Sequence, residues 1–173
     1  MLDTARTLFA ERGSDVDMRE ICERSGIGIG TLYRNFASKD ELVTAIKDEL
    51  LEQGRNLLDR AEAVDDPFEG LKIVLNGMWE LAETRGRLMA ELGALTSPKR
   101  EEGAEDIRAT MRKLFQRLQD DGRLRSGLDP ALAEGFIGSL FPLYINLRQS
   151  FEAEQVRAQL TLLAISSVVV TPA

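Results

Sequence analysis

Apolar residues recur three and four positions apart along most of the chain, and the strict alternation of a half-buried strand is almost absent, so the pattern predicts helices throughout. Leu2, Ala5, Leu8 and Phe9 share one face of a first helix that should stop at Gly13, where glycine supplies a C-cap. Asp17 opens a second, with Glu20 at the reciprocal position of a capping box and Met18, Ile21, Cys22 and Ser25 on one side. Gly26-Ile27-Gly28 then breaks the pattern, and residues 29–36 make a helix of only about two turns. Ser38 with Glu41 forms a second capping box. From there Leu42, Ile46, Leu50, Leu51, Leu57 and Leu58 carry one long helix to about Ala63, a length near 36 Å at ~1.5 Å per residue.

Asp66-Pro67 and Asp129-Pro130 are each an N-cap followed by a first-turn proline. The periodicity predicts further helices over 67–84, 86–95, 103–121, 130–150 and 153–168, with short breaks at Ser97-Pro98 and 122–127 that favour antiparallel neighbours. Pro142 inside the penultimate helix predicts a kink after Gly138. The β-branched tail from Val168 receives no assignment. The expected fold is all-α: an N-terminal three-helix domain over 1–47, joined by the long fourth helix to a C-terminal helical bundle over 48–173.

Composition narrows the chemistry. With 173 residues, 43% hydrophobic and 29% charged, the chain is an ordinary globular protein with room for a real core. It has no histidine and one cysteine, Cys22, which excludes disulfide frameworks, zinc ribbons, the common zinc-hydrolase sites and histidine-based triads. No cofactor is expected. A glycine-rich phosphate loop, a nucleophile elbow and a convincing carboxylate pair are all missing from the sequence, so an enzyme is not expected either. No apolar run reaches the roughly 18–20 residues of a membrane span and no secretory signal opens the chain, which makes the cytoplasm the expected location. The net charge of −7 is awkward for binding a polyanion. Between Arg24 and Lys47, however, four basic residues face only Asp40 and Glu41, so a small basic footprint can sit on an acidic body.

A helix-turn-helix needs a small residue where its helices cross, a glycine-bearing turn, and apolar anchors beneath a polar face that enters the major groove. Cys22 is the small residue, expected to be buried and inert, Gly26 lies in the turn, and Ile21, Ile27, Leu32 and Phe36 are the anchors. Thr31, Arg34 and Asn35 then point outward with Tyr33 at the edge. Leu8-Phe9-Ala10-Glu11-Arg12-Gly13, Arg19-Glu20-Ile21 and Gly30-Thr31-Leu32-Tyr33-Arg34-Asn35-Phe36 with Ser38-Lys39 stand in one register. Through these blocks the N-terminal part of the chain resembles the DNA-binding domain of the TetR family of transcription regulators.

The resemblance implies a homodimer that reads a palindromic operator in double-stranded DNA. It places Arg19 against a phosphate or base edge, and Ile29, Gly30 and Thr31 near base edges, where Ile29 and the Thr31 methyl meet thymine methyls. Tyr33, Asn35 and Lys39 would hold phosphates, with Arg34 on the same outward face. The chain departs from many relatives in carrying Ile29 in place of a lysine and in the run Gly13-Ser14-Asp15-Val16, and Met1 stands almost inside the first helix, leaving no basic arm before it. Weaker affinity or greater reliance on apolar base contacts is expected.

Beyond this domain the likeness rests on helix number and order. In the family the bundle holds an effector pocket, for which Met78, Met89, Met111, Phe115 and Phe141 are candidate lining residues, while Trp79 and Tyr144 join apolar bulk to a donor that can orient a ligand. Phe136, Ile137, Leu140, Leu143, Tyr144 and Leu147, with Leu160, Leu163, Ala164 and Ser167 on the last helix, make a face too broad for one neighbour and predict a four-helix interface with a second copy, centred on Phe136, Ile137, Leu140 and Leu147 of the penultimate helix. The expected function is repression relieved by a small, mostly apolar ligand, with the fourth helix as lever. The alternative is a ligand-binding helical adaptor without specific DNA binding.

Overall fold

The computed structural model describes residues 1–12, 15–93 and 98–170, without the side chains of 87, 89–93 and 98–102. Over the described residues the chain forms eight helices: α1 (Leu2–Arg12), α2 (Met18–Ser25), α3 (Ile29–Asn35), α4 (Lys39–Glu62), α5 (Pro67–Gly93), α6 (Pro98–Asp120), α7 (Pro130–Leu147) and α8 (Ala153–Val168). The fold is all-α, as the periodicity requires.

Local chemistry sets most of the helix ends. The Asp17 carboxylate accepts from the Arg19 amide at 2.8 Å, and Ser38 Oγ accepts from the Glu41 amide at 3.1 Å, each satisfying one orphan donor of a first turn. The capping box read at Asp17 is only half formed, because the Glu20 carboxylate is held by Arg12 at 2.6 Å. Gly26 closes α2 at φ 69°, a left-handed conformation that suits glycine. Asp66 Oδ1 accepts from Arg123 at 2.6 Å and from the Phe68 amide at 2.8 Å, and these bonds, the Arg123 one foremost, hold its carboxyl below the usual value.

Several boundaries differ from the sequence reading. α5 runs unbroken through Gly86, where a new helix was expected. A Cβ at Gly86 would stand 2.9 Å from Ile145 Cγ1, so this glycine serves the close approach of α7, not a break. α6 begins at Pro98, ahead of Gly103, where an added Cβ would stand 3.0 Å from both Leu51 Cδ1 and Arg55 Nη2 of α4, so this glycine lets the two helices lie close. α7 ends at Leu147, because the chain turns there, with the Gln149 amide on the Asn146 carbonyl at 3.1 Å. The unassigned tail forms an isolated antiparallel bridge between Val169 and Leu124. The C-cap expected at Gly13 and the break at Ser97 lie outside the described residues.

Two apolar clusters organise the chain. The first joins Leu8, Phe9, Ile21, Leu32, Leu42 and Ile46 and reaches across to Leu88 of α5. The second packs Leu71, Leu75, Trp79, Phe115, Ile137 and Tyr144 from the bundle. Removing such side chains from water stabilises the fold by about 1.5–3 kcal/mol each. α4 belongs to both: Leu42, Val43 and Ile46 point into the first, Leu58 and Ala61 into the second. Its far end is fixed by Arg117, which donates to the Val64 and Asp65 carbonyls at 2.8 Å.

Candidate nucleic-acid interface and effector chamber

α3 has only seven residues, too few to persist as an isolated helix, and tertiary packing must hold it. Leu32 does so, fully buried in the first cluster, while Ile27 and Phe36 pack against the same cluster from either end. Everything else on α3 faces outward. Ile29 is 42% and Tyr33 50% exposed, and Gly30, Thr31, Arg34 and Asn35 are exposed beside them. Exposing that much apolar and aromatic surface at one tip of a domain is uncommon unless the surface meets a partner. Asn35 Nδ2 donates to the Thr31 carbonyl at 2.8 Å, and Arg34 Nε reaches the Gly30 carbonyl at 3.4 Å, so both side chains lie along the helix. Arg19 stands exposed on the first turn of α2. Lys39 opens α4, partly buried, with its ammonium 5.9 Å from the centre of the Phe9 ring.

Within the bundle, α4, α5, α6 and α7 surround a cavity of about 220 Å³ with almost wholly apolar walls, in which Lys47 is the one ionisable side chain among the described lining residues. Met78, Met111 and Phe141, expected to line a pocket, do so. Trp79 and Phe115 are instead sealed in the core at 0% exposure. Tyr144 lines a different, more polar cleft of about 780 Å³ between α5, the end of α7 and Ala10 of α1. The side chain of Met89 lies outside the described residues. Trp79 Nε1 donates to Thr161 Oγ1 at 2.8 Å and the Tyr144 hydroxyl to Glu83 at 2.8 Å, so both donors are engaged inside the protomer. Burial and the Glu83 carboxylate push the Tyr144 phenol up to about 12. Leu50, Leu51, Leu57 and Leu58 of α4, with Val74, Leu81 and Ile107, supply the other apolar side chains of the wall, none of them singled out in the sequence as pocket-lining. Their apolar spacing was visible, but which helix faces converge is a tertiary fact.

The expected self-association face divides in two. Ile137, Leu140, Leu160 and Ala164 are buried in the protomer's own core, and Leu147 packs partly against it. Phe136, Leu163 and Ser167 remain exposed. Leu143 of the same expected surface is exposed too, and they are joined by Leu132 at 69% and Leu162 at 61% exposure, two apolar residues that the sequence reading left out of the face. On α7 the positions 132, 136, 139 and 143 follow helical spacing, so one stripe packs inward while another stays uncovered.

Among the described residues no three of His, Cys, Asp or Glu gather as a metal site, and no helix is long and apolar enough to cross a membrane. A short helix, a glycine turn and a second short helix with one buried and five outward side chains define a helix-turn-helix DNA-binding protein, here carrying a helical bundle. Residues 1–46 match the profile of the bacterial regulatory proteins of the tetR family. Over 150 residues the chain is 30% identical to the HTH-type transcriptional repressor KstR2 of Mycobacterium tuberculosis (strain CDC 1551 / Oshkosh), covering 79% of this chain and 74% of that protein. The chain belongs to the TetR family of DNA-binding transcription regulators. Its fold is shared by the ketosteroid transcriptional regulator KstR2 of Mycobacterium tuberculosis, with a TM-score of 0.81 at 22% identity over 98% of this chain and 93% of that one. It is shared also by AibR, solved in complex with isovaleryl coenzyme A and operator DNA, with a TM-score of 0.75 at 19% identity over 92% of both chains.

Proposed function

We propose that the chain is a cytoplasmic, non-catalytic repressor. It acts as a homodimer on a palindromic operator and is released by a small, mostly apolar effector held between α4 and α7. The observation that carries this reading is the double membership of α4. Its first turn holds Lys39 next to α3, and its later turns, through Leu50, Leu51, Leu57 and Leu58, form a wall of the chamber. The DNA-binding unit then ends near residue 47 and the effector-binding unit runs from 48 to 173. A dimer must set two copies of α3 one duplex turn apart, about 34 Å, to read both half-sites. A ligand that prefers another α4 position weakens DNA binding by its differential affinity for the two states. AibR, bound to isovaleryl coenzyme A, offers a parallel, since a short branched acyl group has the size and polarity that suit a ~220 Å³ apolar space.

On DNA, Ile29, Gly30 and Thr31 approach base edges while Arg19, Tyr33, Arg34, Asn35 and Lys39 hold the backbone. Binding to duplex DNA across a salt series tests this. The slope of log affinity against log salt should be steep, about −0.9 per phosphate contact, and should flatten by about one contact in Lys39→Ala. Tyr33→Ala should weaken binding with the fold intact, since that side chain is half exposed. Equal affinity for unrelated duplexes together with a shallow slope would favour the adaptor alternative.

A further inference from the structure

α4 lines the chamber with Lys47, Leu50, Leu51, Gly54, Leu57 and Leu58, a run in helical register that covers about 16 Å of the helix at ~1.5 Å per residue. The chamber therefore extends along α4, and its two ends differ. At one end Leu58 belongs to the apolar core of the bundle. At the other, Lys47 follows directly on Ile46, which is fully buried in the cluster that holds α3. Lys47 is partly buried, and every other described lining residue is a leucine, valine, isoleucine, methionine, phenylalanine or glycine. All the charge that the described wall offers is thus positive, and it lies at the end next to the DNA-binding unit.

Such a wall discriminates by charge. A carboxylate moved from water into an apolar space loses hydration that nothing there restores, so leucine and methionine alone must reject an ionised ligand in favour of a neutral one of equal length. An ammonium at one end reverses that order, because a charge-assisted hydrogen bond replaces part of the lost hydration. Lys47 already interacts within the chain, and an ammonium carries three donors, so a ligand oxygen adds to its partners. We infer that the effector is an amphipathic anion, a short aliphatic chain ending in a carboxylate, with the carboxylate on Lys47 and the chain running along α4 towards Leu58. This rests on the chamber being the effector site. The cavity of about 220 Å³ keeps the chain short, being somewhat larger than the ~150 Å³ apolar hole that takes benzene and smaller than the ~300–1,000 Å³ of sites for drug-sized molecules. The head group then lies one residue from Ile46, so the ligand is gripped where α4 passes from one apolar cluster to the other. The rival account is that Lys47 lays its methylene stem on the wall and keeps its ammonium in water. The two accounts order charged and neutral ligands oppositely.

The test uses straight-chain carboxylates and primary alcohols of equal carbon number as probes, at neutral pH and constant ionic strength, with affinity read by titration calorimetry on the full chain. In the parent protein each carboxylate should bind about 10- to 100-fold tighter than the alcohol of its length. Both series should gain about fourfold per added methylene until the chamber is full. Lys47→Met keeps an apolar stem and removes the charge, so in that variant the carboxylates should fall to the level of the alcohols or below it. Lys47→Arg restores a cation and should keep the parent's order. Should Lys47→Met not fold, Lys47→Gln carries the same test, since it too lacks the charge. Alcohols that bind the parent as tightly as carboxylates, or tighter, would leave Lys47 a solvated surface cation and overturn the inference, with the chamber still a site for neutral ligands. A preference for carboxylates that survives in the uncharged variant would put the anion on another cation and overturn it as well. If neither series binds the parent, the chamber is not a ligand site, and the failure lies with the proposed function beneath this inference.

Discussion

Tyr144 shows how a residue's chemistry follows from its surroundings. Its phenol is buried, donates to Glu83 at 2.8 Å, and stacks 5.2 Å from the Trp79 ring. Burial disfavours the phenolate first and the Glu83 carboxylate adds to it, so the folded value of about 12 stands above the usual 10.0. Below pH 10 both folded and unfolded chains keep the proton, and the stabilisation is fully present. As pH rises from about 10 towards 12 the unfolded chain loses its proton while the folded one retains it, so stability must fall. Urea denaturation at pH ~9 and ~11.5 should show a steeper alkaline loss in the parent than in Tyr144→Phe, and equal losses would remove this account. The same residue marks a limit of sequence reading. In sequence Trp79 and Tyr144 each carry a donor that suits orienting a ligand, yet whether a donor is spent inside the core depends on Thr161 and Glu83, far away in sequence. The DNA-facing residues were legible for the opposite reason: on a helix as short as α3, anchored by Leu32 alone, residue order nearly dictates what points outward.

Among the elements, α4 and α5 are the mechanical pair, and their contact depends on missing side chains. A Cβ on Gly70 would lie 2.7 Å from the Ala61 carbonyl oxygen and 3.0 Å from Leu114 Cδ1, and a backbone oxygen cannot swing aside as a side-chain tip can. Gly70→Ala should therefore destabilise by about 1–3 kcal/mol through overpacking, against the usual gain when alanine replaces glycine in a helix. Unchanged or raised stability in urea would mean that the two helices can slide apart without cost. The helices themselves were readable from spacing and caps, and α8 matches its expected limits. Gly86 and Gly103 misled because in sequence a glycine that ends a helix and one that lets two helices touch look the same. Only the position of Ile145 against the first, and of Leu51 and Arg55 against the second, tells them apart.

For the whole molecule the open matter is how two copies meet. The apolar richness of α7 and α8 signalled an interface but could not apportion it, since both faces of a helix that is buried on one side and paired on the other read as apolar. Burial separates them: Ile137, Leu140, Leu160 and Ala164 hold the protomer together, and Leu132, Phe136, Leu143, Leu162 and Leu163 stand outside it. An isologous pairing of these two stripes would cover an apolar patch that a lone protomer leaves in water. The double variant Phe136→Asp with Leu163→Asp places charge on the outer stripes and touches neither the inner core nor the chamber. In sedimentation it should run as a monomer with an unchanged helical signal. Its operator affinity should drop by roughly 10²–10⁴, the gain that linking two half-site readers supplies. Its response to apolar probes should persist, because the chamber is lined by α4 to α7 of one chain. A variant that stays dimeric would move the interface off α7 and α8. A monomer that binds the full operator as tightly as the parent would show that the paired α3 helices are not what holds the protein on DNA.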